Sequence, residues 1–363
     1  MKRVGILTGG GDAPGLNAVV RAVVRTAIGE FGSEVLGIRQ GYEGLLEKNG
    51  IIPLDWGSVS GILHQGGTIL GAANRGNPFA RKVERNGETV IEDVSDKTIA
   101  AIHALELDAL LVAGGDGTLR IARELYDKGV PVVGIPKTID NDVGGTERTF
   151  GFDTAVSIAT EAIDRLHTTA ESHHRVMILE LMGRDAGYIA LHAGMSGGAD
   201  VILIPEIPFY FDAICNKVQA RKDRGRHASI IVVSEGAHPH GEQQVFSRGG
   251  DEVYTARLGG IGFVVGKFIE SACKSESRVT VLGHIQRGGT PTAYDRWLAT
   301  RFAAGAVRLA AQGKYGRMVA LQCGLVVDIP LEEALAVPKV VDLGSDAMIT
   351  ARGMGIAFGD EMI

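Results

Sequence analysis

Short apolar runs alternate along this chain with longer stretches of helical character. The runs end at glycines: V-G-I-L-T before Gly9, A-L-L-V-A before Gly114, V-M-I-L-E-L-M before Gly183, I-I-V-V-S-E before Gly236 and V-T-V-L before Gly283. Helix-like stretches lie between them at 16–28, 119–128 and 154–167. A repeated order of strand, glycine turn and helix predicts an α/β fold with a parallel sheet covered on both faces. In such sheets ligands bind beyond the carboxyl ends of the strands.

Composition narrows the choice of function. The 363 residues are enough for two domains, each with its own core. A content of 45% hydrophobic and 22% charged residues, with a formal net charge of -6, favours a small-molecule partner over nucleic acid or a membrane surface. The first strand starts at Arg3 without an apolar leader, so we expect a cytoplasmic protein. The three cysteines are widely spaced and indicate neither a disulfide framework nor a zinc site.

Two glycine turns are candidate phosphate-binding loops. The first reads T-G-G-G-D-A-P-G at 8–15, where backbone amides at a helix N-terminus could bind phosphate, although a plain tight turn explains it equally well. The second reads G-G-D-G-T at 114–118. A structural turn does not need Asp116 between its glycines, and a carboxylate beside phosphates requires a cation. Asp116 is therefore a candidate Mg²⁺ ligand.

The stretch P-K-T-I-D-N-D at 136–142 places two carboxylates directly after an apolar run. The run 130–135 predicts a buried strand that ends at Pro136, and in an extended continuation Asp140 and Asp142 would point to one face. An Asx-rich turn before Gly144 is the alternative. Together with Asp116, the pattern favours phosphoryl transfer, with Asp140 as the general base.

Polar and cationic residues at later strand ends would complete an anion site. Arginine pairs with phosphate in a bidentate way, so several arginines beside glycine turns favour a phosphate site over a solvated surface. The candidates are Arg175, Met182, Gly183, Arg184, Glu235, Arg278, His284 and Arg287.

The chain resembles, over nearly its whole length, the phosphofructokinases of the ATP- and pyrophosphate-dependent superfamily. The resemblance rests on T-G-G-G-D-A-P-G-L-N, G-G-D-G-T, P-K-T-I-D-N-D, M-G-R and G-H-I-Q-R-G-G in the family's order. It implies two Rossmann-like three-layer α/β domains with mainly parallel sheets and an active site in the cleft between them. The donor domain is expected at 1–142 plus about 286–330, and the sugar domain at about 143–285 plus 331–363. The implied reaction phosphorylates fructose 6-phosphate at its 1-hydroxyl, with Mg²⁺, to give fructose 1,6-bisphosphate.

The resemblance also implies a role for each matching residue. Asp140 resembles the base, Asp142 a supporting charge, and Thr138 and Arg184 the contacts to the transferred phosphoryl group. The donor loops correspond to Gly11, Gly115, Asp116, Gly117 and Thr118, with Asp116 on the metal. Arg175, Arg278, His284 and Arg287 resemble the site of the sugar 6-phosphate, and Met182, Gly183 and Glu235 the contacts to the sugar ring. In the family Arg175 and Arg278 reach a neighbouring subunit's site, which implies a homotetramer or a homodimer.

The chain departs from the family pattern at two places. The segment L-G-A-A-N-R at 70–75 is one residue longer than the family's L-G-S-x-R, and Arg75 takes the place of its donor-site arginine. Arg21 and Arg25 resemble effector-site arginines of bacterial allosteric enzymes, while His167 stands where those enzymes have another arginine. Control by an effector therefore stays open.

Donor choice depends on Gly117 and Lys137. Pyrophosphate enzymes of the family usually have Asp and Lys at these positions, and the common bacterial ATP enzymes have Gly at both. An Asp at 117 would oppose the first phosphate beyond pyrophosphate, whereas Lys137 suits either donor, so we predict ATP as the main donor and pyrophosphate as the second. Another G-G-D-G-T kinase, acting on a lipid or NAD, does not explain T-I-D-N-D, and a catalytically silent nucleotide sensor needs no base.

Overall fold

The chain divides into two compact units in the computed structural model, which describes residues 1–73, 76–85, 88–248 and 257–361. Unit 1 contains Met1–Thr154 and Arg287–Pro338, and unit 2 contains Ala155–Gln286 and Lys339–Ile363. The resemblance placed the limits at 142, about 286 and about 330 instead. Residues 143–154 belong to unit 1 because Phe150 and Gly151 pair with Lys137 and Thr138. Residues 331–338 belong to it because Leu331, Ala334 and Leu335 are buried in its core.

Helices and strands alternate through both units, as the apolar pattern predicts. The first half contains β1 (Arg3–Thr8), α1 (Leu16–Phe31), β2 (Glu34–Ile38), a 3-10 helix (Gly41–Leu45), β3 (Ile51–Leu54), β4 (Arg81–Arg85), β5 (Glu88–Glu92), α2 (Ser95–Ala104), β6 (Ala109–Gly114), α3 (Asp116–Asp127), β7 (Val132–Thr138), β8 (Phe150–Gly151) and α4 (Phe152–His173). The second contains β9 (Val176–Leu181), α5 (Tyr188–Ser196), β10 (Val201–Leu203), α6 (Phe211–Asp223), β11 (Ser229–Ser234), β12 (Phe246–Arg248), β13 (Arg257–Leu258), α7 (Ile261–Ala272), β14 (Ser277–Val281), a 3-10 helix (Gly283–Arg287), α8 (Ala293–Ala311), β15 (Arg317–Gln322), β16 (Leu325–Pro330), α9 (Leu331–Ala336) and α10 (Asp346–Gly353).

The sheet of unit 1 is mainly parallel and buried on both faces. Its strands run in the order β16-β15-β7-β6-β1-β2-β3, with β8 beside β7, and β3 and β16 are the antiparallel strands. Successive side chains of β1 enter different cores: Val4 and Ile6 pack with residues of α1 and α8, and Leu7 packs with residues of α3 and α9. Burial of both faces explains why these strands are continuous apolar runs.

The sheet of unit 2 is parallel, in the order β10-β11-β9-β14. Apolar residues of α6 and α7 pack on it, and Ala357 adds a parallel bridge to Val201 at the β10 edge. The prediction of an α/β fold with mainly parallel sheets is thus confirmed for both units. Among the described helices, none has the length and apolar character needed to cross a bilayer.

Two cysteines of unit 2 form a disulfide that the sequence did not indicate. Cys215 of α6 and Cys273, directly after α7, are 58 positions apart in sequence, but their Cα atoms lie 5.5 Å apart. The two helices pack side by side, and Phe211 stacks on Phe268 at a ring-centroid distance of 4.6 Å. The expectation was wrong because spacing along the chain does not reveal which helices become neighbours.

Candidate active site

The stretch P-K-T-I-D-N-D is not the extended chain that the sequence suggested. β7 does not end at Pro136, because Lys137 and Thr138 find a new parallel partner in β8. The chain then turns at Asn141, which has a left-handed backbone with φ of +57°. The extended backbone assumed for Asp140 and Asp142 was therefore wrong, and the alternative interpretation as a turn describes this segment better.

Asp140 is held close to Thr138 within this turn. The backbone N–H of Asp140 donates to Thr138 Oγ1 at 3.1 Å, and Thr138 Oγ1 lies 3.5 Å from Asp140 Oδ2. Both residues are buried, with Asp140 5% exposed. A fixed carboxylate with little contact to water is suited to accept a proton from a hydroxyl brought within hydrogen-bond distance.

Lys137 connects this turn to the first glycine loop. Its side chain is buried, and its Nζ donates a hydrogen bond to the carbonyl oxygen of Gly11. Burial, and next the positive charge of Arg287, lower the pKa of Lys137 to about 8, although Asp140, Asp12 and Asp142 oppose the shift. Lys137 is thus a cation whose charge can change near physiological pH.

The first glycine loop borders a cleft of about 310 Å³ lined by Gly10, Gly11, Asp12, Gly67, Thr68, Gly71 and Ala72. The guanidinium of Arg287 packs against the loop and donates from Nη1 to the Asp12 carbonyl at 3.2 Å. A Cβ at Gly11 would lie 2.9 Å from Arg287 Nη1, so the close approach favours glycine. Two cations beside this loop favour an anion site over a plain turn. Arg75, another donor-site candidate, lies outside the described residues.

The second glycine loop starts α3 and leaves one position open. Asp116 is the first residue of α3, and its Oδ2 accepts a hydrogen bond from Arg120 Nε at 2.7 Å. Thr118 is buried, and its side chain fits against the Cα atoms of Gly9 and Gly114, where a Cβ would lie 2.6 Å and 2.3 Å from it. A Cβ at Gly117 would meet no atom within 4 Å. Backbone amides at the start of a helix carry partial positive charge, which suits phosphate.

The donor set of this loop fits Mg²⁺ bound together with phosphates. In the part of the chain that the structure describes, no group of three or more His, Cys, Asp or Glu residues could hold a metal by itself. Mg²⁺ at phosphoryl-transfer sites takes one or two carboxylates, and substrate phosphates and water supply the remaining oxygens. The side chain of Asp116 is 38% exposed and offers one such carboxylate. On binding the metal, this carboxylate would lose its ion pair with Arg120.

Unit 2 brings the M-G-R motif together with Glu235. Arg184 has a left-handed backbone with φ of +48°, and its N–H lies 3.4 Å from Glu235 Oε1. A Cβ at Gly236 would lie 1.8 Å from the Arg184 carbonyl oxygen, so glycine permits this approach. A left-handed backbone at a non-glycine residue such as Arg184 costs free energy, and such residues are often found at functional sites.

Two phosphate-binding candidates of unit 2 share one carboxylate. Arg175 Nη2 lies 2.8 Å from Glu276 Oε1, and Arg278 Nη2 donates to the same oxygen. The pKa of Glu276 is lowered, chiefly by the hydrogen bond from Arg175. His284 is exposed in the 3-10 helix that follows β14. Arg287, which the resemblance groups with these three residues, belongs to unit 1 and contacts the first glycine loop.

Two buried polar residues inside the motifs were not singled out from the sequence. The Oε1 of Gln286, which is fully buried, accepts a hydrogen bond from the Met182 N–H at 2.9 Å and so joins G-H-I-Q-R-G-G to M-G-R. Asn141 Oδ1 accepts from the Thr149 N–H at 3.0 Å. One signal in the sequence could have identified them: each is a polar residue within a motif, and the proposed chemistry gives it no role.

The comparisons with known proteins are consistent across family, relatives and solved structures. The phosphofructokinase family model matches residues 3–310. An ATP-dependent 6-phosphofructokinase of Chloroflexus aurantiacus is 54% identical over 363 residues, covering 99% of each chain. A pyrophosphate–fructose 6-phosphate 1-phosphotransferase of Streptomyces coelicolor is 52% identical, covering 94% of this chain and 96% of the relative. The solved phosphofructokinase from Saccharomyces cerevisiae is 32% identical, with a TM-score of 0.77 over 93% of this chain and 45% of that longer one.

Proposed function

Because the chain belongs to the phosphofructokinase family, we propose that it transfers the terminal phosphoryl group of ATP to the 1-hydroxyl of fructose 6-phosphate, giving fructose 1,6-bisphosphate and ADP. The observation that carries the proposal is the contact between the T-I-D-N-D turn and the first glycine loop, made by Lys137 on the Gly11 carbonyl. The Lys137 cation thus contacts a loop suited to phosphate, three residues before the buried carboxylate of Asp140. A silent nucleotide sensor would need no such base, which favours an enzyme.

The reaction is a direct displacement at phosphorus. Asp140 accepts the proton of the sugar 1-hydroxyl as that oxygen attacks the terminal phosphorus, and the bond to the bridging oxygen of the donor breaks. Thr138 and Arg184 contact the transferred group, and Asp142 adds a supporting charge. Charge neutralisation and positioning provide most of the catalysis in such reactions.

Mg²⁺ is the proposed cofactor, with Asp116 as its protein ligand. When bound, the ion neutralises charge on the donor phosphates. The backbone amides of Gly115, Gly117 and Thr118, at the start of α3, orient the same phosphates. Gly11 and Arg75 complete the proposed donor set.

ATP is the proposed main donor because of the space beside Gly117. A third phosphate needs room beyond the position of pyrophosphate, and a side chain at 117 would project into space that no protein atom within 4 Å occupies. Lys137 serves either donor, because a cation beside the first glycine loop interacts with any phosphate there. Pyrophosphate is the second candidate.

The sugar-binding role is proposed for the residues that the resemblance assigns to fructose 6-phosphate, among them Arg287. Met182, Gly183 and Glu235 would contact the ring, and Arg175, Arg278 and His284 the 6-phosphate. Unit 1 is the proposed donor domain and unit 2 the proposed sugar domain. We also propose a homo-oligomer, a tetramer or a dimer, because the resemblance assigns Arg175 and Arg278 to a neighbouring subunit's site. The proposed localisation is the cytoplasm. The molecular mass in solution tests the assembly.

Initial rates with each donor test the function. We expect purified protein with fructose 6-phosphate and Mg²⁺ to form fructose 1,6-bisphosphate, faster with ATP than with pyrophosphate at equal concentration. Product from pyrophosphate alone would overturn the choice of donor. Absence of a phosphorylated sugar with both donors would overturn the proposed reaction.

Donor use should also depend on the charge of Lys137. Its pKa of about 8 means that the side chain is charged below pH 8 and loses its charge as the pH rises through that value. We expect kcat/KM for ATP, which reports ionisations of the free enzyme, to fall above about pH 8. In Lys137→Met this step should be absent and kcat/KM for ATP low across the range. A wild-type profile that stays flat to pH 10 would contradict the assignment.

A further inference from the structure

We infer that Asn141 and Thr149, called here the Asn141–Thr149 pair, position the proposed base Asp140 by fixing the backbone on both sides of it. The inference rests on the proposed function, because it concerns the same turn. Neither residue is assigned a contact to substrate, and both are almost completely buried, at 2% and 1% exposure. Their side-chain hydrogen bonds are made within the loop 138–149.

Hydrogen bonds of Thr149 connect the two sides of the loop. Thr149 Oγ1 donates to the carbonyl oxygen of Thr138 at 2.8 Å, and the Thr149 N–H donates to Asn141 Oδ1 at 3.0 Å. Thr149 therefore holds the residue two positions before Asp140 and the residue directly after it. Asn141 Nδ2 adds a contact to the Glu147 carbonyl at 3.4 Å.

The backbone between these hydrogen bonds turns at Asn141. Asn141 is left-handed, with φ of +57°, a conformation that asparagine tolerates better than most side chains. The conformation turns the chain directly after Asp140. The Asn141 side chain also accepts a hydrogen bond from the Thr149 N–H. The backbone and the side chain of Asn141 therefore both stabilise the turn.

The rest of the loop is attached to β15 by hydrogen bonds. The Leu321 N–H donates to Thr146 Oγ1 at 2.9 Å, and the Glu147 N–H donates to the Leu321 carbonyl at 2.9 Å. At its end, Phe150 and Gly151 of β8 pair with Lys137 and Thr138. The Asn141–Thr149 pair is thus the link between a firmly attached outer loop and the short segment that carries Asp140.

The physical consequence is a restricted position for the Asp140 carboxylate. A base must lie within hydrogen-bond reach of the proton that it removes, and a displacement of about 1 Å can cost roughly 100-fold in rate. Loss of the Thr149 hydroxyl would free the Thr138 carbonyl and, with it, the Oγ1 that the Asp140 amide contacts. Thr149 is therefore a positioning residue that acts through Thr138 and Asp140.

Thr149→Val tests the inference, with Thr149→Ser as its matched control. Valine keeps the branched shape and the backbone N–H but lacks the hydroxyl, whereas serine keeps the hydroxyl. We expect Thr149→Val to lower kcat about 10–100-fold, with KM for both substrates changed less than about threefold, and Thr149→Ser to keep kcat within about threefold of wild type. Asn141→Gly, which retains the left-handed backbone and removes the acceptor, should lower kcat in the same way.

A double-mutant cycle separates positioning from a loss of folding. In an Asp140→Asn background, Thr149→Val should cost less than about threefold, because a displaced base cannot matter where no base is present. A merely structural role would lower the melting temperature in both backgrounds and leave kcat per folded enzyme unchanged. Normal kcat in both Thr149→Val and Asn141→Gly, or an equal loss with and without Asp140, would overturn the inference. An inactive wild-type enzyme would instead overturn the proposed function.

Discussion

Replacing Asp140 with asparagine is expected to reduce kcat by about 10²- to 10⁴-fold, the usual contribution of a general base, equal to roughly 3–5 kcal/mol of activation free energy. Asparagine preserves the shape of the side chain and the backbone N–H that donates to Thr138 Oγ1 at 3.1 Å. The turn should therefore stay folded. The loss should appear in turnover, while the dissociation constant for fructose 6-phosphate stays within about threefold of wild type.

Asp142→Asn is the matched control for this prediction, since it removes a carboxylate two residues away in the same turn. Asp142 is proposed to supply only a supporting charge, so its substitution should cost clearly less than that of Asp140. Turnover and sugar binding are measured separately, by a coupled assay and by calorimetry without a donor. If Asp140→Asn kept turnover near the wild-type value, or if Asp142→Asn were the more damaging change, the base would have to be sought elsewhere.

Placing aspartate at Gly117 is expected to reduce kcat/KM for ATP by about 10²- to 10³-fold and to spare activity with pyrophosphate. A Cβ at this position meets no protein atom within 4 Å, so the protein itself has room for the side chain. A negative charge at the second residue of α3 is also favourable for the helix. Two unit charges about 4 Å apart near a protein surface repel each other by roughly 4 kcal/mol, and salt reduces this value.

Gly117→Asn separates charge from volume, because asparagine fills the same space without the negative charge. We expect it to lower ATP use less than Gly117→Asp does, and both variants to melt near the wild-type temperature. The measurement is the ratio of kcat/KM for ATP to that for pyrophosphate in all three proteins. An unchanged ratio in Gly117→Asp would show that the donor phosphates do not pass this position.

Much of the fold could be predicted because local pattern and tertiary environment agree. Strands buried on both faces must be apolar along their whole length, so β1, β6, β9 and β11 stand out in the sequence as continuous runs. Helix limits were less well predicted: α4 begins at Phe152 and ends at His173, whereas the pattern indicated 154–167. Tertiary packing extends helices beyond the residues that sequence periodicity identifies.

The division of the chain into its two units was harder to predict from the sequence. β8 has only two residues, and its pairing with Lys137 and Thr138 is a contact between segments that the sequence does not mark as partners. The same pairing carries β7 through Pro136, where local rules end a strand. The Cys215–Cys273 disulfide was missed for a similar reason, since only the packing of α6 against α7 makes the two residues neighbours.

The sequence by itself determined which chemistry is proposed for the candidate site, because phosphoryl transfer needs particular side chains and the motifs contain them: Asp116, Asp140, Arg184 and the glycines of two loops. Tertiary structure alone decided how those side chains are held. In the folded chain the backbone turns at Asn141, and Lys137 is buried with a hydrogen bond to the Gly11 carbonyl. Arg287 contacts the first glycine loop, and Thr149 donates a hydrogen bond to the Thr138 carbonyl. These arrangements depend on hydrogen bonds and charges between residues distant in sequence or on opposite sides of a loop. No local pattern encodes such contacts, because their partners meet only when the chain is folded.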